Sequence, residues 1–124
     1  REEAARLRRQ GRALIEDPDF AARLALAEIE LKALEITNLR VIFDEERNHA
    51  PGPEASMLKI RGTELAQRVS ELQLEAQGRA ALAYSQPGPA ARAAASYMNL
   101  RKVSIYGGSN DIQRNIIAHQ ILGL

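Results

Sequence analysis

Apolar residues recur at helical spacing in five stretches of this chain, separated by clusters of Pro, Gly and Asp. The first stretch, about residues 1–15, is rich in Ala, Leu, Arg and Glu. Asp17-Pro18-Asp19 ends it and supplies a stop followed by an N-cap. The second, about 19–48, is the longest. Phe20, Leu24, Ala27, Leu31, Leu34, Asn38 and Val41 alternate four and three apart, and a second stripe of Leu26, Ile29, Ala33, Ile36 and Phe43 lies on an adjoining face. Glu28, Lys32 and Glu35 leave only a narrow polar face, so this helix is expected to pack against more than one neighbour. Asn38, inside the first stripe, reads as a polar residue that fixes helix register or, less readily, as a ligand contact.

The Pro/Gly loop 47–56 restarts the chain into a third helix, about 54–84, whose apolar face is Leu58, Gly62, Leu65, Val69, Leu72 and Ala76. Glycine inside a helix costs about 1 kcal/mol relative to alanine, and close approach of a neighbouring helix would justify Gly62. A second Pro/Gly loop, 85–91, precedes an alanine-rich helix, about 89–103. A final helix, about 110–122, is expected to point Ile112, Ile116, Ile117 and Ile121 inward. No repeat and no strand-period alternation is seen. The pattern predicts an all-α fold, an antiparallel up-and-down bundle of four or five helices.

Composition narrows the function. Hydrophobic residues make up 45% of the 124, but aromatics only 4%, so Leu, Ile and Ala must fill the core. Lys and Arg number 17 against 16 Asp and Glu, a near balance with no field to draw in nucleic acid or anionic lipid. The local cluster Arg6, Arg8, Arg9 and Arg12 reads as a solvated helix face before it reads as a phosphate site. The absence of cysteine excludes disulfides and thiol catalysis and fits a reducing compartment, with bacterial cytoplasm expected. His49 and His119 lie far apart, and no metal-ligand spacing is seen. No apolar run approaches the ~20 residues of a membrane span, and the N-terminus lacks the apolar region of a signal peptide. The chain starts without Met and with a helical pattern under way, so it reads as a piece of something longer.

The stretch before the last helix, Ile105-Tyr106-Gly107-Gly108-Ser109-Asn110-Asp111, carries the candidate chemistry. Gly107 and Gly108 permit positive φ and close backbone approach to a ligand. Ser109 or Asn110 can cap the helix, and Asn110 with Gln113 resembles a capping box. A capped helix start presents unpaired N–H groups and a positive dipole end, suited to phosphate or pyrophosphate. Asp111 suits that dipole but would repel a nearby anion. The plain alternative is a glycine turn before a capped helix.

The longer string IYGGSNDIQRNIIAHQILGL closely resembles the end of the acyl-CoA dehydrogenase family, with its Tyr-(Glu or Gly/Ala)-Gly-(Thr/Ser)-Asn-Glu-Ile-Gln-Arg-Asn-Ile-Ile-Ala pattern. ARLALAEIELKALEITNLR and ASMLKIRGTELAQRVSELQLEAQG resemble the long second helix and the third helix of that family's C-terminal domain, so the resemblance covers residues 1–124. It implies a helical bundle that mediates dimer and tetramer contacts, with the family's N-terminal helical and middle β domains outside this chain. It also implies FAD as cofactor and oxidation of an acyl-CoA thioester to the trans-2-enoyl-CoA, with acyl-CoA held through the other domains and an electron-transfer partner.

Carried over residue by residue, Gly107 stands where many members carry the glutamate base, so the resemblance implies no catalytic residue here. Ser109, Asn110 and Asp111, with Gly108, fall at flavin-contacting positions, and Tyr106 near the acyl/flavin cleft. Asp111 is shorter than the usual Glu or Gln. Arg8 matches the arginine that meets the FAD pyrophosphate in a neighbouring subunit, although RRQGR lacks the motif's Phe. Glu75 stands for a glutamine on the adenine side, and Arg79 replaces that segment's second Gly. Two readings follow: the C-terminal domain of an FAD-dependent dehydrogenase, or a non-catalytic helical interaction module of a homo- or hetero-oligomer.

Overall fold

The structure is a computed structural model and describes residues 1–48, 52–82 and 87–124, without the side chains of 44–48. Among the described residues it contains α1 (Glu2–Arg6), a two-stranded hairpin of β1 (Arg8–Arg9) and β2 (Arg12–Ala13), α2 (Pro18–Asn48), α3 (Glu54–Gln77), α4 (Pro89–Leu100) and α5 (Asn110–Gln120), with short 3-10 turns at Leu14–Glu16, Gly78–Leu82 and Arg101–Ser104. The all-α bundle class expected from the pattern holds. Parts of the two expected Pro/Gly loops, with His49 and the proposed end of the third helix at 83–84, lie outside the described residues.

The chain divides into two compact units, Arg1–Ile29 with Ala66–Arg101, and Glu30–Leu65 with Lys102–Leu124. In the first, Leu14, Phe20, Ala27, Leu72, Ala81 and Ala94 are buried. α2 begins as expected: Pro18 takes the first helical position and Asp17 Oδ1 accepts from the N–H groups of Asp19 and Phe20, both at 3.1 Å. At the other end Arg101 joins α4 to α3. It donates to Gln67 O at 3.0 Å, to the buried Ser70 Oγ at 2.9 Å and to Glu71 Oε1 at 2.8 Å, and its guanidinium lies 4.3 Å from the Tyr97 ring centre. The apolar core of the second unit is small, centred on Ile60 and Leu65.

Four expectations need correction. The first helix does not run to residue 15. It stops at Arg6, and the chain turns at Gln10 and Gly11, with φ of 51° and 83°, into a hairpin in which Arg9 pairs with Arg12. Two consecutive positive φ values are those of the tight hairpin turn that matches strand twist. A continuous helix would have stacked Arg8 over Arg12, a like-charge pair four apart, and placed Gly11 in its interior. The third helix ends at Gln77, because Gly78 takes φ 55° and leads into a 3-10 turn. Ile112 and Ile121 are not inward: both are exposed, while Ile116 and Ile117 are half-buried. The described chain covers only one flank of α5's apolar face. On α2 Asn38 is exposed, as are Leu31 of the first stripe and every member of the second, Leu26, Ile29, Ala33, Ile36 and Phe43.

Gly62 does meet a helix neighbour, but without crowding. A Cβ there would sit 3.8 Å from Leu34 Cδ2, an ordinary contact. Gly62→Ala should therefore raise the stability of the protein by up to about 1 kcal/mol, the helix-propensity difference. Gly78→Ala should lower it by about 1 kcal/mol, because it places a Cβ in the left-handed region. Urea denaturation of both variants checks the contrast, and shifts of the same sign would contradict it.

Candidate functional site

The sequence-derived site residues fall in two places. The first is a cleft of about 310 Å³ in the first unit, lined by Leu7, Arg8, Arg9, Leu14, Glu75 and Arg79 among others. The hairpin brings Arg8 and Arg9 beside the last turn of α3, so two segments more than sixty residues apart in sequence, read separately as cofactor contacts, share one wall. Glu75 is held firmly. Both its oxygens accept from Arg23, at 2.7 and 2.8 Å, and Arg9 Nη2 lies 3.5 Å from Oε1 and 3.4 Å from the Glu75 carbonyl. The Arg23 hydrogen bonds hold the Glu75 carboxyl below the usual carboxylate range, against partial burial, which pushes it up. Arg23 also pairs with Asp19 at 3.1 Å, and Arg9 with Asp17 at 3.8 Å. Arg8 and Arg79 are exposed, and among the described residues neither makes an ion pair. The cleft therefore offers two uncompensated guanidinium groups around a carboxylate that is already engaged.

The second place is the turn into α5. Gly107 and Gly108 take φ of 68° and 82°, the left-handed conformations that glycine permits. A Cβ at Gly107 would meet nothing within 4 Å, whereas one at Gly108 would fall 2.5 Å from Gln113 Nε2. Ser109 is the N-cap, and its Oγ accepts from the Ile112 N–H at 3.3 Å. Among the described residues its hydroxyl proton has no acceptor. The N–H groups of Asn110 and Asp111, at the first two helical positions, have no partner within the helix. Tyr106 is not a core residue; it is 56% exposed, with Lys102 Nζ 5.9 Å from its ring centre. Asp111 is exposed and pairs with Arg114 at 3.2 Å, and Arg114 also reaches Glu64 at 3.1 Å.

Asn110 departs from the pattern. The expected capping box with Gln113 does not form, because Ser109 takes the cap and the residue three positions on is Ile112. Asn110 is instead 7% exposed, with its amide turned onto α3, where Lys59 Nζ donates to Oδ1 at 2.8 Å and Nδ2 donates to Thr63 Oγ1 at 3.1 Å. Any contact of Asn110 with a ligand outside the bundle falls to its backbone N–H. Sequence reasoning missed Lys59, Thr63 and Arg23. Lys59 and Thr63 had one signal, a polar pair four apart on the helix that carries Gly62; Arg23 had none beyond its i, i+4 spacing from Asp19.

The family model for the acyl-CoA dehydrogenase C-terminal domain matches residues 2–122. This chain belongs to that family. It is 32% identical over 109 residues to acyl-CoA dehydrogenase IpdE1 of Mycolicibacterium smegmatis, an alignment covering 88% of this chain and 26% of that protein. It is 32% identical over 120 residues to acyl-CoA dehydrogenase FadE26 of Mycobacterium tuberculosis, covering 92% of this chain and 30% of that protein. The crystal structure of the ChsE4–ChsE5 complex from Mycobacterium tuberculosis superposes with a TM-score of 0.79 at 28% identity, over 99% of this chain and 33% of that one. The chain thus spans about a quarter to a third of the length of the relatives it matches. Among the described residues, no helix is long and apolar enough to cross a membrane.

Because the Glu75 carboxyl titrates lower in the folded than in the unfolded protein, its contribution to stability is complete above the unfolded value. It is lost as pH falls through the carboxyl range, from about pH 5 downward. Glu75→Gln should cost about 1 kcal/mol at neutral pH and flatten the acid limb of the stability profile. Urea midpoints between pH 7 and 3 measure this, and an unchanged acid limb would assign it to other carboxylates.

Proposed function

We propose that this chain is the C-terminal part of an FAD-dependent acyl-CoA dehydrogenase that oxidises an acyl-CoA thioester to the trans-2-enoyl-CoA, and that it contributes flavin contacts and an oligomer surface. The observation that carries the reading is the turn into α5. Two consecutive glycines with positive φ deliver a serine-capped helix start, whose hydroxyl proton and first two N–H groups have no partner among the described residues. This donor set fits the polar edge of a flavin, which accepts hydrogen bonds, and the open space at Gly107 leaves the approach clear. Arg8 and Arg79, without ion pairs among the described residues, supply a donor set that fits a pyrophosphate. We assign Arg8 to that role in a flavin bound mainly by a neighbouring subunit. Glu75 acts there chiefly by fixing Arg9, and Tyr106, with its exposed ring, takes the acyl side.

When bound, FAD supplies the hydride acceptor for the acyl β-carbon. This chain's residues would orient it from the α5 turn and place the positive helix end where negative charge develops. The chain holds no base at position 107. Gly107 has no proton-accepting side chain, and among the described residues beyond its chain neighbours nothing lies within 4 Å of its Cβ position. The carboxylate that removes the α-proton is therefore assigned to a segment outside residues 1–124 or to a partner subunit. The same observation favours a second reading, in which the chain belongs to a catalytically silent subunit beside an active one. The ChsE4–ChsE5 neighbour is a complex of two named components. The exposed apolar residues Ile36 and Phe43 on α2 suit an oligomer contact in either reading.

FAD titration of the full-length apoprotein, followed by flavin fluorescence, tests the proposal. Saturable binding is expected. Ser109→Ala should weaken it roughly fivefold, the effect of about 1 kcal/mol for one hydrogen bond, and Arg8→Ala by at least as much. Gly108→Val should weaken it further, by straining the turn. Binding that none of the three changes would remove this chain from the flavin site.

A further inference from the structure

We propose that Lys59 and Thr63 are positioning residues, which act through the side chain of Asn110 to hold the Gly107–Ser109 turn in its ligand-binding position. The inference rests on the reading of that turn as a flavin contact. Asn110 occupies the first position of α5, immediately after the cap, where a side chain ordinarily faces solvent. Here it is one of the few buried polar residues of the described chain. Burial of an amide is costly unless both of its ends are paired. They are: Lys59 Nζ donates to Oδ1 at 2.8 Å and Nδ2 donates to Thr63 Oγ1 at 3.1 Å, while the Thr63 hydroxyl sends its proton to the Ile60 carbonyl at 2.9 Å.

Lys59 and Thr63 are four apart and therefore on one face of α3, so the two donors and acceptors form a fork that fits one amide in one orientation. The fork fixes the first residue of α5 to a long helix, and the glycine turn is only two residues upstream. The turn itself has little rigidity of its own, since both glycines have wide conformational freedom. What sets its place must come from its ends.

The charge on Lys59 strengthens the case. Lys59 is half-buried and, among the described residues, makes no ion pair. It sits beside the start of α5, where the helix dipole is already positive. A neutral donor would satisfy the Asn110 oxygen without that repulsion. The lysine adds to the positive potential that the helix start presents to an electron-rich group. Holding the turn and enriching its positive potential are both served by one residue that touches no ligand.

The test uses the full-length protein purified with its flavin, and five variants: Lys59→Met, Lys59→Arg, Thr63→Val, Asn110→Ala and the Lys59→Met/Asn110→Ala double. Each single variant should weaken FAD binding to the apoprotein roughly fivefold to tenfold, the change expected for loss of one hydrogen bond to a charged or buried group. The double variant should bind within about twofold of the weaker single one, because the three residues act as a unit. The visible circular dichroism of bound flavin should change in Lys59→Met and return toward wild type in Lys59→Arg. A role in folding alone would lower Tm and leave that spectrum as in wild type, which would overturn the proposal. Additive losses in the double variant would also overturn it. If Ser109→Ala weakens FAD binding and the fork variants do not, the flavin contact stands and the positioning role falls. If Ser109→Ala and Gly108→Val have no effect either, the flavin reading falls and takes the positioning role with it. Should Lys59→Met fail to fold, Thr63→Val decides, since it removes one hydroxyl and no charge.

Discussion

One carboxylate organises the first unit. Glu75, in the last turn of α3, receives a two-pronged hydrogen bond from Arg23 in the first turns of α2 and a longer one from Arg9 in the hairpin. Isolated surface ion pairs contribute little, about 0–1 kcal/mol, but a bidentate arginine with further arginine and aspartate partners is the geometry in which such pairs count. The network explains why a chain that could have continued as a helix past residue 6 is worth folding back. The hairpin turns Arg9 toward Glu75 and Asp17 and leaves Arg8 beside the cleft. The arginines that hold the wall together, Arg9 and Arg23, are thereby separate from Arg8 and Arg79, which make no ion pair among the described residues.

The turn into α5 divides its tasks in a similar way. Two consecutive residues, either of which could have been the cap, take different roles: Ser109 closes the helix end, and Asn110 ties it to α3. With the cap and the anchor assigned to side chains, the backbone N–H groups at the helix start and the glycines ahead of them are left unencumbered. The turn therefore presents main-chain donors from a helix start that α3 holds in place.

Much apolar surface remains uncovered: Ile36, Phe43 and Met57 in one unit, Leu26 and Ile29 in the other. The chain matches only about a quarter to a third of its relatives' length.

The sequence by itself determined the helices with strong periodicity and clear punctuation. α2 starts where Asp17-Pro18 says it must, α4 starts at Pro89, and the glycines at 107 and 108 adopt the positive φ that only glycine takes without strain. Those features are local: a missing N–H, a missing Cβ or a side-chain oxygen one turn away. The acyl-CoA dehydrogenase family was legible for a related reason, since the final twenty residues join a local turn to a periodic helix in one string. What only the tertiary structure decided is which periodic positions are covered and which polar side chains meet. The stripe through Leu26, Ile29, Ile36 and Phe43 looks like core by period, yet period records that a face is apolar and says nothing of what covers it. Asn110 reads as a cap until α3 brings Lys59 and Thr63 to it from about fifty residues away, and no residue near Glu75 in sequence announces that Arg23 takes both its oxygens. Pairings across that separation depend on how the helices pack, a property of the fold rather than of any window of sequence.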